Sequence, residues 1–155
     1  MRLGSTNMLK GRIAEAIVEE MLKEAGFQVY RFGYESVIQN LTQIDVELKK
    51  NKVGRKITNM PDFIVIKGGF AYFVEVKFRS GWPDQKSHDC IDLAETWPEA
   101  TILFVCKTEP HFRITNICDF VEKNYLFPLE NDKYMDVGED IVKKYTKQVI
   151  ASYGV

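Results

Sequence analysis

Between Asn7 and Ala25 the apolar residues Ile13, Ala14, Ile17, Val18, Met21 and Leu22 recur at steps of three and four, which predicts an amphipathic helix. Thr6 or Asn7 is placed to cap its start, and Gly26 to take the left-handed conformation that ends it. Residues 27–32 then alternate apolar and polar and predict a strand. Residues 33–60 have no clean period: Leu41, Ile44, Val46 and Leu48 fit a short helix or a strand equally well. A hairpin follows, with β-rich runs over 62–67 and 70–78 and Gly68-Gly69 supplying the positive φ angles of a two-residue turn. Further on, the pattern predicts a helix over 87–96 that stops near Pro98, and a buried strand over 101–106. A short strand over 112–115, a short helix over 117–123 and an amphipathic helix over 139–152 complete the chain. Helix, strands, helix, strand is a mixed α/β order.

The hairpin fixes a register. With Lys67 opposite Phe70, counting back along both strands sets Asp62 opposite Glu75 on one face of the sheet. Lys77 shares that face with Ile64, Ile66, Ala71 and Phe73, while Phe63, Val65, Tyr72, Val74, Val76 and Phe78 line the other. Both faces are apolar, so these are predicted to be central strands covered on both sides. Two carboxylates facing each other in such a place repel, and Lys77 neutralises only one of them. A divalent cation between Asp62 and Glu75 removes the conflict, and Mg2+ suits a site with one or two carboxylates and retained water. Lys77 is then positioned to hold water or to stabilise charge on a phosphate. Pro61 cannot continue a ladder, which sets where the first of these strands begins. The competing reading is a frayed hairpin end with an ordinary ion pair.

Composition narrows the classes. The 155 residues carry 21 Lys and Arg against 22 Asp and Glu, a net charge of −1, so any polyanion must be held by a local patch or through cations. Three cysteines without a CxxC pair argue against a disulfide framework or a structural zinc site and predict a cytoplasmic protein. No apolar stretch approaches the ~20 residues of a membrane span, and the first residues do not read as a secretory leader. No repeat or linker divides the sequence. It is read as one domain, with a core over about 7–107 and an unassigned extension over 108–155.

Pro61-Asp62, twelve intervening residues, then Glu75-Val76-Lys77 resembles the signature of the PD-(D/E)xK nuclease superfamily. Gly11-Arg12-Ile13-Ala14-Glu15 is similar to the Gly-x-x-x-Glu element that many members carry on their first helix. The resemblance implies a restriction-endonuclease-like or Holliday-junction-resolvase-like α/β fold, with a mixed central sheet flanked by helices. It also implies metal-dependent hydrolysis of phosphodiester bonds in DNA, with Mg2+ as cofactor and Mn2+ able to substitute. Asp62 and Glu75 become metal ligands, Lys77 the catalytic lysine and Glu15 an accessory carboxylate. The similarity runs from the first helix to about Cys106. It departs in one place: many exonuclease-like members have Gln-x-x-x-Tyr on the helix after the triplet, whereas here Gln85 is followed four positions later by Asp89.

Other residues are weighed around that core. Glu15 falls at the border of the apolar stripe, where it either reaches inward beside Gly11 or stays solvated. Lys49, Lys50, Lys52, Arg55 and Lys56 form a basic patch that either grips phosphates or is a solvated turn. Arg79, Gln85 and Lys86 follow the triplet closely and are candidate substrate contacts. Gly81-Trp82-Pro83 is read as a packed loop in preference to a base-stacking platform, His88 as a surface helix residue, His111 as part of a turn and Cys106 as strand filler. A homodimer, with two sites addressing two strands of a duplex, is one expectation for assembly. The alternative to an enzyme is a catalytically inactive nuclease-fold module that binds nucleic acid or a protein.

Overall fold

The computed structural model describes residues 2–32, 50–132 and 135–154, with side chains from residue 6 onward. Helix α1 (Arg2–Glu24) leads into β1 (Gln28–Arg31). Next come α2 (Lys52–Thr58), then β2 (Phe63–Lys67) and β3 (Phe70–Arg79) as the hairpin. Helix α3 (His88–Thr96) crosses to β4 (Thr101–Cys106), and β5 (Phe112–Asn116) returns beside it. Helix α4 (Ile117–Lys123), β6 (Phe127–Pro128), a single 3₁₀ turn and α5 (Glu139–Tyr153) follow. The six strands form one mixed sheet in sequence order. Only β3 and β4 run parallel, because α3 provides the crossover that a parallel pair requires. No helix among the described residues is long and apolar enough to cross a membrane.

The hairpin has the expected register, Lys67 opposite Phe70 through Phe63 opposite Val74. Gly68 and Gly69 take φ of 58° and 81°, the left-handed values a two-residue turn demands. Alternation then sorts the side chains. Phe63, Val65, Val74 and Val76 pack with Leu103, Val105, Phe112 and Ile114 under α1 and α5. The opposite face carries Ile102, Phe104 and Cys106 under Cys90, Leu93 and Trp97 of the α3 region and Ile117 and Phe120 of α4. Both faces are therefore covered over β4, while at the tip of the hairpin Phe70 and Ala71 are exposed.

Several expectations change. Helix α1 begins at Arg2, so Thr6 and Asn7 lie within it and do not cap it. Gly26 does end it, at φ 94°. A helix, α2, lies where the basic run was read as a patch or turn, capped by Asn51 through its side-chain oxygen, which accepts from Gly54 N–H. Lys49 and the run Leu41, Ile44, Val46 and Leu48 lie outside the described residues. The part beyond 107 is no appendage: β5 extends the sheet, and Phe112, Ile114, Val142, Tyr145 and Val149 are buried in the α1/α5 core. His111 is also buried, and its Nδ1–H donates to the Cys106 carbonyl at 2.8 Å.

Candidate active site

Asp62 stands one residue before β2, where Pro61 has ended the ladder. Its backbone carbonyl accepts from Phe32 N–H at 2.8 Å, and its Oδ2 accepts from Val76 N–H at 2.8 Å. The register puts Pro61 opposite Val76, so the aspartate side chain takes a donor the proline segment leaves open. The residue is thereby held from both sides, its backbone by Phe32 and its carboxyl by Val76 of β3. It faces Glu75 across the hairpin, near enough for each carboxyl to act on the other's titration.

Burial and the Glu75 charge push the Asp62 carboxyl well above the usual carboxylate range. Burial also raises Glu75, against the pull of Lys77, and Glu15 adds a further upward push. These are the signs of two like charges in a poorly solvated place. Glu75 Oε1 is buried with no hydrogen-bond donor, while Oε2 lies 3.3 Å from Lys77 Nζ. Two things can satisfy that oxygen: a proton retained on Asp62, or a cation between the carboxylates. The donor set is oxygen only, as a hard divalent ion requires, so the residues fit Mg2+. Among the described residues no group of three or more His, Cys, Asp and Glu gathers around a common metal position. A cation here would therefore draw on the Asp62–Glu75 pair.

Lys77 is the next residue on the same face. Its Nζ also lies 3.1 Å from Asp89 Oδ2, and Arg79 Nη2 reaches the same oxygen at 2.8 Å. Burial works against the Lys77 charge, but Glu75 and Asp89 outweigh it and lift its pKa above the ordinary lysine value. Lys77 is thus an ammonium at neutral pH. Asp89 is held well below the carboxylate range: burial opposes this, but Lys77 and Arg79 overcome it. Sequence reasoning treated position 89 only as a missing tyrosine. The available signal was an acidic residue in the first turn of a helix that crosses back over the basic end of β3.

The remaining candidates divide. Glu15, half-buried on α1, lies near enough for its charge to be felt at Glu75. Arg79 joins the Lys77–Asp89 group and lies over the Phe104 ring at 5.7 Å. Gln85 Nε2 donates to the Val121 carbonyl, which ties the loop to α4. Arg55 pairs with Asp92 and Glu95, and Lys56 donates to the Thr96 carbonyl and covers the Trp97 ring. Those two basic residues fasten α2 onto α3. Lys86 is exposed, in the turn that its backbone N–H closes onto Asp84. Trp82 does not pack as a core loop residue: it is 66% exposed, with Arg113 beneath its ring. Cys106 is buried, and that burial pushes its thiol up to about 11, in keeping with strand filler.

Comparison with family models, with curated proteins and with solved structures found no match.

Proposed function

We propose that this chain is a metal-dependent nuclease of the PD-(D/E)xK type, hydrolysing phosphodiester bonds in DNA. The observation that carries the reading is the buried, donorless Oε1 of Glu75 beside Asp62, with the Lys77 ammonium 3.3 Å from Oε2 of the same carboxylate. A buried carboxylate oxygen without a donor costs free energy until something meets it, and a cation between Asp62 and Glu75 would do so. The mixed sheet flanked by helices supports a restriction-endonuclease-like fold.

Asp62 and Glu75 would hold Mg2+, which supplies Lewis acidity and charge neutralisation at a phosphate when bound. The chain's own groups do the positioning. The Val76 N–H and the Phe32 N–H fix Asp62 from either side, so its carboxylate is aimed before any ligand arrives. Lys77, kept cationic by Glu75 and Asp89, is no base as it stands. Its part is to orient a water or to stabilise negative charge growing on a phosphate oxygen. Glu15 adds negative charge near Glu75.

The test is cleavage of supercoiled and linear duplex DNA by the full chain in Mg2+. Lys77→Ala should lower the rate by ~100-fold or more while the circular dichroism spectrum is retained. Chelation with EDTA should abolish cleavage. Full activity in Lys77→Ala, or in EDTA, would refute the reading.

A further inference from the structure

Arg113 lies on β5 with 1% of its surface exposed, among the most buried side chains of the protein. Its Nη2 donates to the Thr108 carbonyl, Thr108 Oγ1 and the Glu109 carbonyl at 3.2, 3.3 and 2.9 Å. None of those acceptors carries a charge. Nε and Nη1 are buried with no hydrogen-bond partner among the described residues. The Trp82 ring covers the guanidinium at 4.0 Å from its centroid, and that ring is itself 66% exposed. A buried cation served only by neutral oxygens and a ring is expensive to keep. The protein thus maintains unmet donors beneath a solvent-facing aromatic.

The register places this arrangement relative to the candidate active site. Phe104 pairs with Lys77 on one side and with Arg113 on the other, so all three share a face of the sheet. The backbones of Lys77 and Arg113 are two strands apart, about 10 Å. Arg79 lies between them over the Phe104 ring. Lys77 and Arg79 are paired with Glu75 and Asp89, so of the three cations on this face Arg113 is the one without a carboxylate partner among the described residues. Trp82 is carried on the exposed turn that directly follows β3, with Ser80 and Gly81 also exposed and Pro83 buried as its anchor.

We propose that Arg113 and Trp82 form a second binding site that takes a single-stranded segment of nucleic acid, with a phosphate on the Arg113 guanidinium and the neighbouring base on the Trp82 ring. This rests on the nuclease reading and extends it by naming how the strand is held beyond the scissile position. Tilting of Trp82 uncovers Nε and Nη1, while the Nη2 bonds to Thr108 and Glu109 keep the guanidinium in place. The cation needs no rearrangement to meet an anion, because it is already desolvated and oriented. Any base has a face to stack on indole, so the contact is tolerant of sequence.

The experiment measures binding of a short fluorescein-labelled oligothymidylate to the full chain in EDTA, by anisotropy across a salt series. Arg113→Met should weaken binding about tenfold or more and reduce the salt slope by about one. Trp82→Ala should weaken binding by roughly fivefold or more with the slope unchanged. Because Arg113→Met removes a buried charge and can alter folding, acrylamide quenching of the wild type supplies an independent reading. Trp97 is only 8% exposed, so the quenchable emission is that of Trp82 and should become protected as oligothymidylate saturates the protein. Unchanged affinity and slope in folded Arg113→Met, unprotected Trp82, or no binding by the wild type would each overturn the proposal. DNA cleavage by the same preparation in Mg2+ reports separately on the nuclease reading: binding without cleavage upholds the site and refutes the enzyme, and cleavage without binding does the reverse.

Discussion

Alternate residues of β3 lead different lives. Val74 and Val76 point under α1 and α5 into a continuous apolar core, whereas Glu75, Lys77 and Arg79 point to the other face and meet Asp62, Asp89 and the Phe104 ring. The same backbone hydrogen bonds serve both sets. One face contributes stability by removing apolar surface from water. The other spends part of it, keeping a pair of carboxylates with raised pKa values, a donorless Oε1 and, two strands along, a buried guanidinium without an anion. A rigid apolar face can support a strained polar one when both hang from one strand, and that is the arrangement a preorganised site requires.

The contrast can be broken most forcefully from the dry side. Leu103 is fully buried on the α1/α5 face. Leu103→Ala should cost about 2–5 kcal/mol in urea unfolding, leaving the pattern of metal dependence intact in whatever protein remains folded. A loss of well under 1 kcal/mol would show that this face does not carry the fold.

On the charged side the effect should appear in rate rather than stability. Asp89→Asn removes one of the two carboxylates that hold Lys77 and the one that holds Arg79. Cleavage should fall by about tenfold, close to 1.4 kcal/mol on the barrier, with a stability change below about 1 kcal/mol. An unaltered rate would reduce Asp89 to a surface partner. The pH dependence of the rate should shift as well, because Lys77 loses part of what keeps it protonated.

A finer contrast uses pH without metal. The Asp62 carboxyl is raised on folding, so the folded chain binds that proton more tightly than the unfolded one. Stability from this group is complete below the ordinary carboxylate pKa of about 4 and is lost as pH rises through the raised value. Urea unfolding in EDTA should show that decline, at no more than about 1.4 kcal/mol per pH unit for one proton. Asp62→Asn should flatten it. A decline of the same size in Asp62→Asn would mean that another group is responsible.

What was legible in the sequence follows from how local each signal is. Gly68-Gly69 fixes the parity of the hairpin, and parity alone settles which face Asp62, Glu75 and Lys77 share, so the site's centre needed no long-range information. Asp89 was not legible as a partner because its contact depends on where α3 lands after crossing to β4. Arg113 was hidden for a related reason. Phe112, Arg113, Ile114 and Thr115 alternate as though one face were wet, yet Trp82, thirty-one positions earlier, covers the arginine. The basic run before Asp62 reads equally as a phosphate patch or a solvated turn because charge is visible in sequence and pairing is not: Arg55 is engaged by Asp92 and Glu95 of α3. After 107 the strand over 112–115 is legible in the sequence, but its place in the sheet appears only in its pairing with β4, and β6 only in its pairing with β5.

In the proposed function Asp62 and Glu75 form a seat for a hard divalent cation. Calorimetric titration of the full chain with Mg2+ and Mn2+ at neutral pH tests it most directly. Saturable binding of one ion per chain is expected, accompanied by proton release from the carboxyl pair and lost in Asp62→Asn. Absence of saturable binding by the folded wild type, or unchanged binding in that variant, would contradict it.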